Sequence, residues 1–362
     1  MGAGVLSAVG LMSGTSRDGV DAAIVHTDGR REVNPGPSLT LAYTAGTRER
    51  LGDASRAASA MEEVEREITL IHADAVARLL DKAGLAPDGV DIVGMHGHTI
   101  LHAPERRITR QIGNPRLLAR RLGIDVIADF RKADVEAGGE GAPLAPVYHA
   151  ARAAGLVRPL AVLNLGGVAN VTWIGHGDDD LIAFDTGPGN ALIDDWTRAR
   201  AGFDYDAEGR LAASGTVDEA ALAELLDTAF FDRTPPKSLD RDAFDASPAD
   251  RLDVADGAAT LTAFTAAAVT RALVHLPTPP RRWLVTGGGR KNPVLLTMLV
   301  ERLGAPVQPV EHVGWNGDSL EAEAFAYMAV RSLAGLPITF PGTTGVPAPL
   351  TGGRLHRGRA RP

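Results

Sequence analysis

Three stretches of this 362-residue chain place small and polar residues where a bound anion could sit. The first is MSGTSRDGVD at 12–21, where an apolar run stops in a tight turn and resumes as VDAAIV. Gly14 and Gly19 carry no Cβ. Backbone N–H groups and the hydroxyls of Thr15 and Ser16, with Arg17 and Asp18 beside them, can therefore approach an anion closely. Gly166-Gly167, between AVLNL and VANVTWI, repeats the device. Gly287-Gly288-Gly289, after WLVT, is the third such turn. Each alone also reads as an ordinary β-turn, since glycine is a default turn residue. Three in one chain suggest a nucleotide.

Two familiar nucleotide sites are excluded. A P-loop ends in Lys-Ser/Thr, and the four lysines lie in DKAG, RKAD, PKSL and RKNP. A dinucleotide fold needs GxGxxG between strand and helix, a spacing that GGGRKN lacks. What remains resembles the actin-like sugar kinases and ATPases. There, two strand–turn–strand hairpins clasp phosphates and a Gly-rich strand–helix turn holds the nucleoside. Residues 14–21, 166–170 and 287–289 follow that order.

Asp185 is the candidate base. It ends the apolar run LIAF and precedes GPGN, which turns the chain away. A carboxylate at such a strand end can take a proton from water or a hydroxyl, an effect worth about two to four powers of ten in rate. Aspartate at that position also caps turns and helices. His96 and His98, in HGHT after the strand VDIVGM, have the H-x-H spacing with which some metal hydrolases present two imidazoles. Neutral histidines in a polar cleft, each with a donor and an acceptor, are the competing reading. Arg131, at the end of IDVIADF, can hold a carboxylate or phosphate through its planar fork. It can also form a surface ion pair with Asp134 or Glu136.

Positioning these residues requires alternating strands and helices. Residues 5–12 and 20–27 read as strands. Met61, Val64, Ile68, Ile71, Ala75 and Leu79 recur at helical spacing and predict an amphipathic helix over 57–80. At 161 the strand–turn–strand pattern restarts. Residues 191–201, 261–276, 293–303 and 320–334 read as helices, and 204–256 as peripheral helices and loops. The repeat implies an α/β protein of two similar halves. We expect one domain over 1–150, a second over 151–345, and a tail over 346–362 packing back on the first.

Composition narrows the function classes. Net charge of −8 argues against nucleic acid or an anionic membrane as partner. The absence of cysteine excludes disulfides and thiolate chemistry. The short N-terminal apolar run has no basic residue before it, so no secretory signal is expected. No membrane-spanning run is expected either. The default is a cytoplasmic enzyme.

The chain closely resembles the anhydro-N-acetylmuramic acid kinase family. The motifs are MSGTSRDGVD (12–21), HGHT (96–99), QIGNP (111–115), DFRKADVEAGGEGAPLAP (129–146), LNLGGVANVT (163–172), DTGPGN (185–190), VTGGGRKNP (285–293) and GDSLEAEAFAYMA (317–329). The family usually has Gln at His98, Asp at Asn114, and KSTGRE where 237–242 read KSLDRD. The resemblance implies two actin-like (ribonuclease-H-like) domains flanking an interdomain ATP and substrate cleft. It implies ATP-dependent opening and phosphorylation of 1,6-anhydro-N-acetylmuramic acid in cell-wall recycling. Asp185 would be the catalytic base, with Mg²⁺ at the phosphates and no dedicated protein metal site. ATP would be held by Gly14, Thr15, Ser16, Arg17, Asp18, Gly19, Val20, Asp21, Gly166, Gly167, Asn170, Gly287, Gly288, Gly289 and Asn292. The sugar would meet His96, Thr99, Arg131, Gly187 and Asn190. A homodimer is expected. Two other classes stay open: a metal-dependent hydrolase using His96 and His98, and an actin-like ATP-binding module without kinase activity.

Overall fold

Short apolar runs, some alternating with polar residues, become the strands of two sheets in the computed structural model, which describes residues 4–14, 17–54, 58–177 and 179–358. In chain order the strands are β1 (Leu6–Ser13), β2 (Gly19–Thr27), β3 (Val33–Ala42), β4 (Ile92–Ala103), β5 (Ile108–Ile112), β6 (Val126–Ala128), β7 (Leu160–Leu165), β8 (Val168–Ile174), β9 (Leu181–Pro188), β10 (Trp283–Thr286), β11 (Val307–Pro309) and β12 (Arg354–His356). The first sheet has the order β12-β6-β4-β1-β2-β3, with β5 paired to β4; the second has β11-β10-β7-β8-β9. In both, an antiparallel three-strand meander is extended by two parallel strands on the far side of its first strand. The shared wiring is that of two actin-like α/β units, as the restart at 161 implies.

The chain divides into Met1–Gly155 with Ser319–Pro362, and Leu156–Asp318. The boundary expected at 345 is therefore displaced, because the helix Leu320–Leu333 belongs to the first unit. Gly10 and Gly94, register partners on β1 and β4, explain why. A Cβ on either would collide with the backbone of that helix, at the carbonyls of Ala322 and Phe325. Two adjacent glycines let the helix lie flush on the sheet. The opposite face is covered by the helix Ala58–Ala83, whose Val64, Ile68, Ala75 and Leu79 are buried against Val9, Leu11, Val93 and Met95.

In the second unit, Leu163, Val171, Phe184 and Val285 form one apolar row across four strands, packed with the helix Pro293–Leu303. The helix Val254–Arg271, with its following turn to His275, is long and apolar enough to cross a membrane by composition. It is a core helix here, buried continuously from Gly257 to Val269. The expectation that no such segment exists is corrected in that sense.

Three local readings are also corrected. HGHT lies inside β4 rather than after a strand. Asp185 lies inside β9, which continues to Pro188. Arg131 follows β6 by three residues and precedes the short helix Lys132–Glu136.

Candidate active site

In the second unit, cross-strand register builds a row of polar side chains. Thr286 pairs with Asn164, Asn164 with Asn170, and Asn170 with Asp185. Paired residues point to the same face, so four polar groups from four strands line up behind the Gly-rich turns. The Asn170–Asp185 pair continues the regular β8–β9 register, and a bulge on β9 at Thr186 follows it, so that Ala169 opposes Gly187. A bulge re-aims the residues beyond it, here Gly187 and Pro188. Thr186 itself is buried and donates to the carbonyl of Ala169 (3.2 Å).

Asp185 is held from the 237–239 segment. Its N–H donates to the Lys237 carbonyl (3.0 Å), and the N–H of Leu239 donates to its Oδ2 (2.8 Å). Lys237 anchors that segment. Although cationic, it is only 4% exposed. Its Nζ donates to the Phe230 carbonyl (3.2 Å) and sits 4.5 Å from the Phe230 ring centroid. Burial pulls its pKa down to about 8, with Arg233 acting in the same direction. Residues 237–242, where the sequence departs from KSTGRE, thus include the clamp on the candidate base.

The second hairpin turn is tied to its surroundings by backbone. The N–H groups of Gly189 and Asn190 donate to the carbonyls of Gly167 (2.9 Å) and Gly166 (2.7 Å). Asn190 Nδ2 adds a bond to the Leu165 carbonyl (2.8 Å). Within the triple glycine, packing explains the outer two. A Cβ on Gly287 (φ +76°) would lie 2.5 Å from Asn164 Oδ1, and one on Gly289 2.6 Å from Leu165 Cβ. Gly288 is exposed, with nothing closer than 3.7 Å to such a Cβ. Gly166 and Gly167 have similar room, at 3.5 and 3.7 Å. Of the five glycines in these two turns, these three are the ones whose open side a ligand can approach. Gly187 (φ +151°) is explained by Ala268, 2.7 Å from a Cβ there. Asn292 caps the helix Pro293–Leu303, accepting from Val294 and Leu295 N–H.

In the first unit, Gly14 and Arg17 close a turn (3.1 Å), with Arg17 in the left-handed region at φ +60°. Thr15 and Ser16 lie outside the described residues. Asp18 is exposed at the turn; Gly19 packs against the Leu41 carbonyl, and Val20 is core. Asp21 accepts from Thr40 Oγ1 (2.5 Å).

The two histidines of HGHT face different partners. An irregularity in the β1–β4 register, with Leu11 opposite Met95 but Ser13 opposite His98, coincides with Gly97 at φ +77°. His96 stacks on Phe325 (centroids 4.7 Å apart), whereas His98 Nδ1 lies 3.0 Å from Ser13 Oγ. Burial holds both below the usual histidine range, His98 at about 4. Neutral His96 donates from Nδ1 to the Gly97 carbonyl (3.0 Å) and accepts at Nε2 from Arg131 Nε (3.1 Å). Arg131 Nη1 also donates to the Gly141 carbonyl (2.7 Å). The pair His96–Arg131 thus comes together, with the histidine orienting the guanidinium. Asp134 receives Gly141 N–H (2.7 Å) and Thr344 Oγ1 (2.6 Å), which organises the loop beneath Arg131. Thr99 accepts from Gln111 (3.3 Å). Among the described residues, no three His, Asp or Glu side chains converge on a metal position. The metal-hydrolase reading is not favoured.

Sequence reasoning missed Asn164, which fills the polar row, and the Ser13–Tyr43 pair beside His98. The signal for Asn164 was a lone polar residue in the apolar strand AVLNL.

Known proteins resemble this chain over nearly its whole length. The family profile described as anhydro-N-acetylmuramic acid kinase matches residues 7–357. A protein of that name from Rhodospirillum rubrum is 56% identical over 355 residues, covering 97% of this chain and 94% of the relative. Another, from Rhizorhabdus wittichii, is 55% identical over 359 residues, covering 97% and 98%. Component A of the (R)-2-hydroxyglutaryl-CoA dehydratase of Acidaminococcus fermentans superposes with a TM-score of 0.51 at 13% identity, over 91% of this chain and 99% of that one. That likeness concerns the fold alone. With the profile spanning nearly every residue and the relatives matched end to end, this chain belongs to the anhydro-N-acetylmuramic acid kinase family.

Proposed function

We propose that this enzyme converts 1,6-anhydro-N-acetylmuramic acid, water and ATP into N-acetylmuramic acid 6-phosphate and ADP, with Asp185 as the base. The observation that carries the assignment is the clamp on Asp185: one carboxylate oxygen held by a backbone N–H, on a bulged strand, in line with Asn170, Asn164 and Thr286.

Asp185 takes a proton from water as the water oxygen attacks C1. The C1–O6 bond breaks, and O6 accepts the γ-phosphoryl group. Phosphorylation stabilises the leaving oxygen, so one carboxylate suffices where a glycosidase typically uses two. Gly166, Gly167 and Gly288 offer ATP the closest backbone approach, and Asn170, Gly287, Gly289 and Asn292 hold that scaffold. The turn from Gly14 to Asp21, including Thr15 and Ser16, is assigned to phosphates. Mg²⁺, which spreads phosphate charge, needs only one or two carboxylates besides water and phosphate oxygens; exposed Asp18 fits that requirement. Arg131, oriented by His96, is assigned to the lactyl carboxylate, with Thr99, Gly187 and Asn190 shaping the sugar subsite. This reading takes the enzyme as a cytoplasmic homodimer without nucleic-acid or membrane partners; light scattering tests the stoichiometry.

The decisive experiment is turnover in heavy-oxygen water with ATP, Mg²⁺ and the anhydro sugar. Label at C1 and phosphate at O6 are expected. Asp185→Asn should abolish turnover while leaving ATP affinity near wild type, since it removes a transition-state role. Wild-type-like turnover would remove Asp185 from the mechanism.

A further inference from the structure

Ser13, Tyr43 and His98 form a hydrogen-bonded chain the proposed reaction does not use. Ser13 Oγ lies 2.8 Å from Tyr43 Oη and 3.0 Å from His98 Nδ1. All three residues are less than 5% exposed. Distance alone leaves the direction of donation open, but proton counting decides it. Tyr43 keeps its proton, since burial pushes its pKa up to about 12. Among the described residues, the only hydrogen-bond partner of its hydroxyl is Ser13 Oγ. If His98 donated to Ser13, either the tyrosine proton (with Ser13 donating to Tyr43) or the serine proton (with Tyr43 also donating to Ser13) would be buried without an acceptor among the described residues, costing about 1–3 kcal/mol. The opposite direction satisfies every group: Tyr43 donates to Ser13, and Ser13 donates to His98 Nδ1. His98 is neutral, so its one ring proton then resides on Nε2. Nε2 has no protein partner among the described residues, and it is not among the buried unpaired atoms.

We propose that Tyr43 and Ser13 are positioning residues that lock His98 as the Nε2–H tautomer, making it a fixed neutral donor to an oxygen acceptor of a substrate. His96, two residues away, is held in the opposite tautomer by Gly97 and Arg131. One strand thus carries two imidazoles with different tasks. The acceptor is a lone pair on a sugar hydroxyl or carbonyl, or on a phosphoryl oxygen. The proposal rests on the kinase reading only for that choice.

The first test needs no activity. Nitrogen-15 NMR of the wild-type protein, with His98 assigned through its side-chain correlations, should show the proton on Nε2. A proton on Nδ1 would overturn the proposal, and this outcome is independent of whether Asp185 is the base. The second test is steady-state kinetics of Tyr43→Phe. Loss of the lock should raise one KM by about three- to tenfold, the worth of one hydrogen bond, with kcat within about twofold. A rise for the anhydro sugar places the acceptor on the sugar; a rise for ATP places it on a phosphoryl oxygen. No change in either KM overturns the proposal. Should Tyr43→Phe not fold, His98→Gln, which restores a donor, is compared with His98→Leu, which does not. Equal KM values in those two variants overturn it as well.

Discussion

The first unit should be unusually sensitive to mild acid, because it buries four histidines in neutral form. Burial is the largest cause in each case, holding His72 and His98 at about 4 and His149 at about 3, with His96 well below its ordinary value. The unfolded chain takes up these protons near pH 6.5. Between that value and the folded ones the unfolded state binds more protons, so stability is full above pH 6.5 and falls as pH drops. At pH 5, a histidine moved from 6.5 to 4 contributes RT ln[(1 + 10^1.5)/(1 + 10^−1)], about 2 kcal/mol of lost stability. His72, His98 and His149 together amount to about 6 kcal/mol, a large part of a domain's 5–15 kcal/mol. His96 acts in the same direction. All four tryptophans, Trp173, Trp196, Trp283 and Trp315, lie in the second unit, so their emission reports the wrong half. The suitable assay is amide hydrogen exchange of β1 and β4 at pH 7.5 and pH 5.0, corrected for intrinsic rates. First-unit opening should become easier by several kcal/mol. His72→Leu should recover about 2 kcal/mol of that loss. A change below about 1 kcal/mol in the wild type would refute the reasoning.

Gly94→Ala should destabilise the first unit by about 1–3 kcal/mol through overpacking, measured as a lower urea midpoint, because its Cβ meets the Phe325 carbonyl. Lys237→Met should stabilise the second unit at pH 7 and lose that advantage by pH 10.5. Burial lowers the lysine from 10.5 to about 8, so the charged form costs the fold up to about 3 kcal/mol below pH 8, and wild-type stability rises between those values. Tryptophan-monitored urea unfolding at both pH values checks the sign. Asn114→Ala should cost about 1 kcal/mol by removing the cap on the helix Pro115–Leu122, while Asn114→Asp should not; thermal melts separate them.

Much of this molecule is legible in its sequence because the information is local. The helix expected over 57–80 forms as Ala58–Ala83. AVLNL and VANVTWI form β7 and β8, and the two hairpins recur with the same order over five strands of each sheet. What stays hidden depends on register between distant strands. The polar row ending at Asp185 exists because four strands bring Thr286, Asn164, Asn170 and Asp185 into register, and nothing in LIAFDTGPGN announces those partners or the bulge at Thr186 that follows. Likewise, H-x-H reads as two imidazoles on one face only while the strand is regular; Gly97 breaks that regularity. Glycines mislead similarly. GGG reads as three equivalent ligand-facing residues, yet two are required by Asn164 and Leu165. Asn114 looks like a lost charge, but its Oδ1 still caps a helix, a role aspartate and asparagine fill equally well.

The discontinuity of the first unit has a consequence for biosynthesis. Its sheet is nearly complete by Ala128, yet the helix that seals the Gly10–Gly94 surface and the edge strand Arg354–His356 are encoded last. A chain emerging from the ribosome exposes one bare face of that sheet throughout synthesis of residues 156–318. The second unit is contiguous, so it can finish folding first, although it begins later. During translation the nascent protein therefore carries a folded insert within an unfinished host, and truncation anywhere before residue 333 leaves the host open.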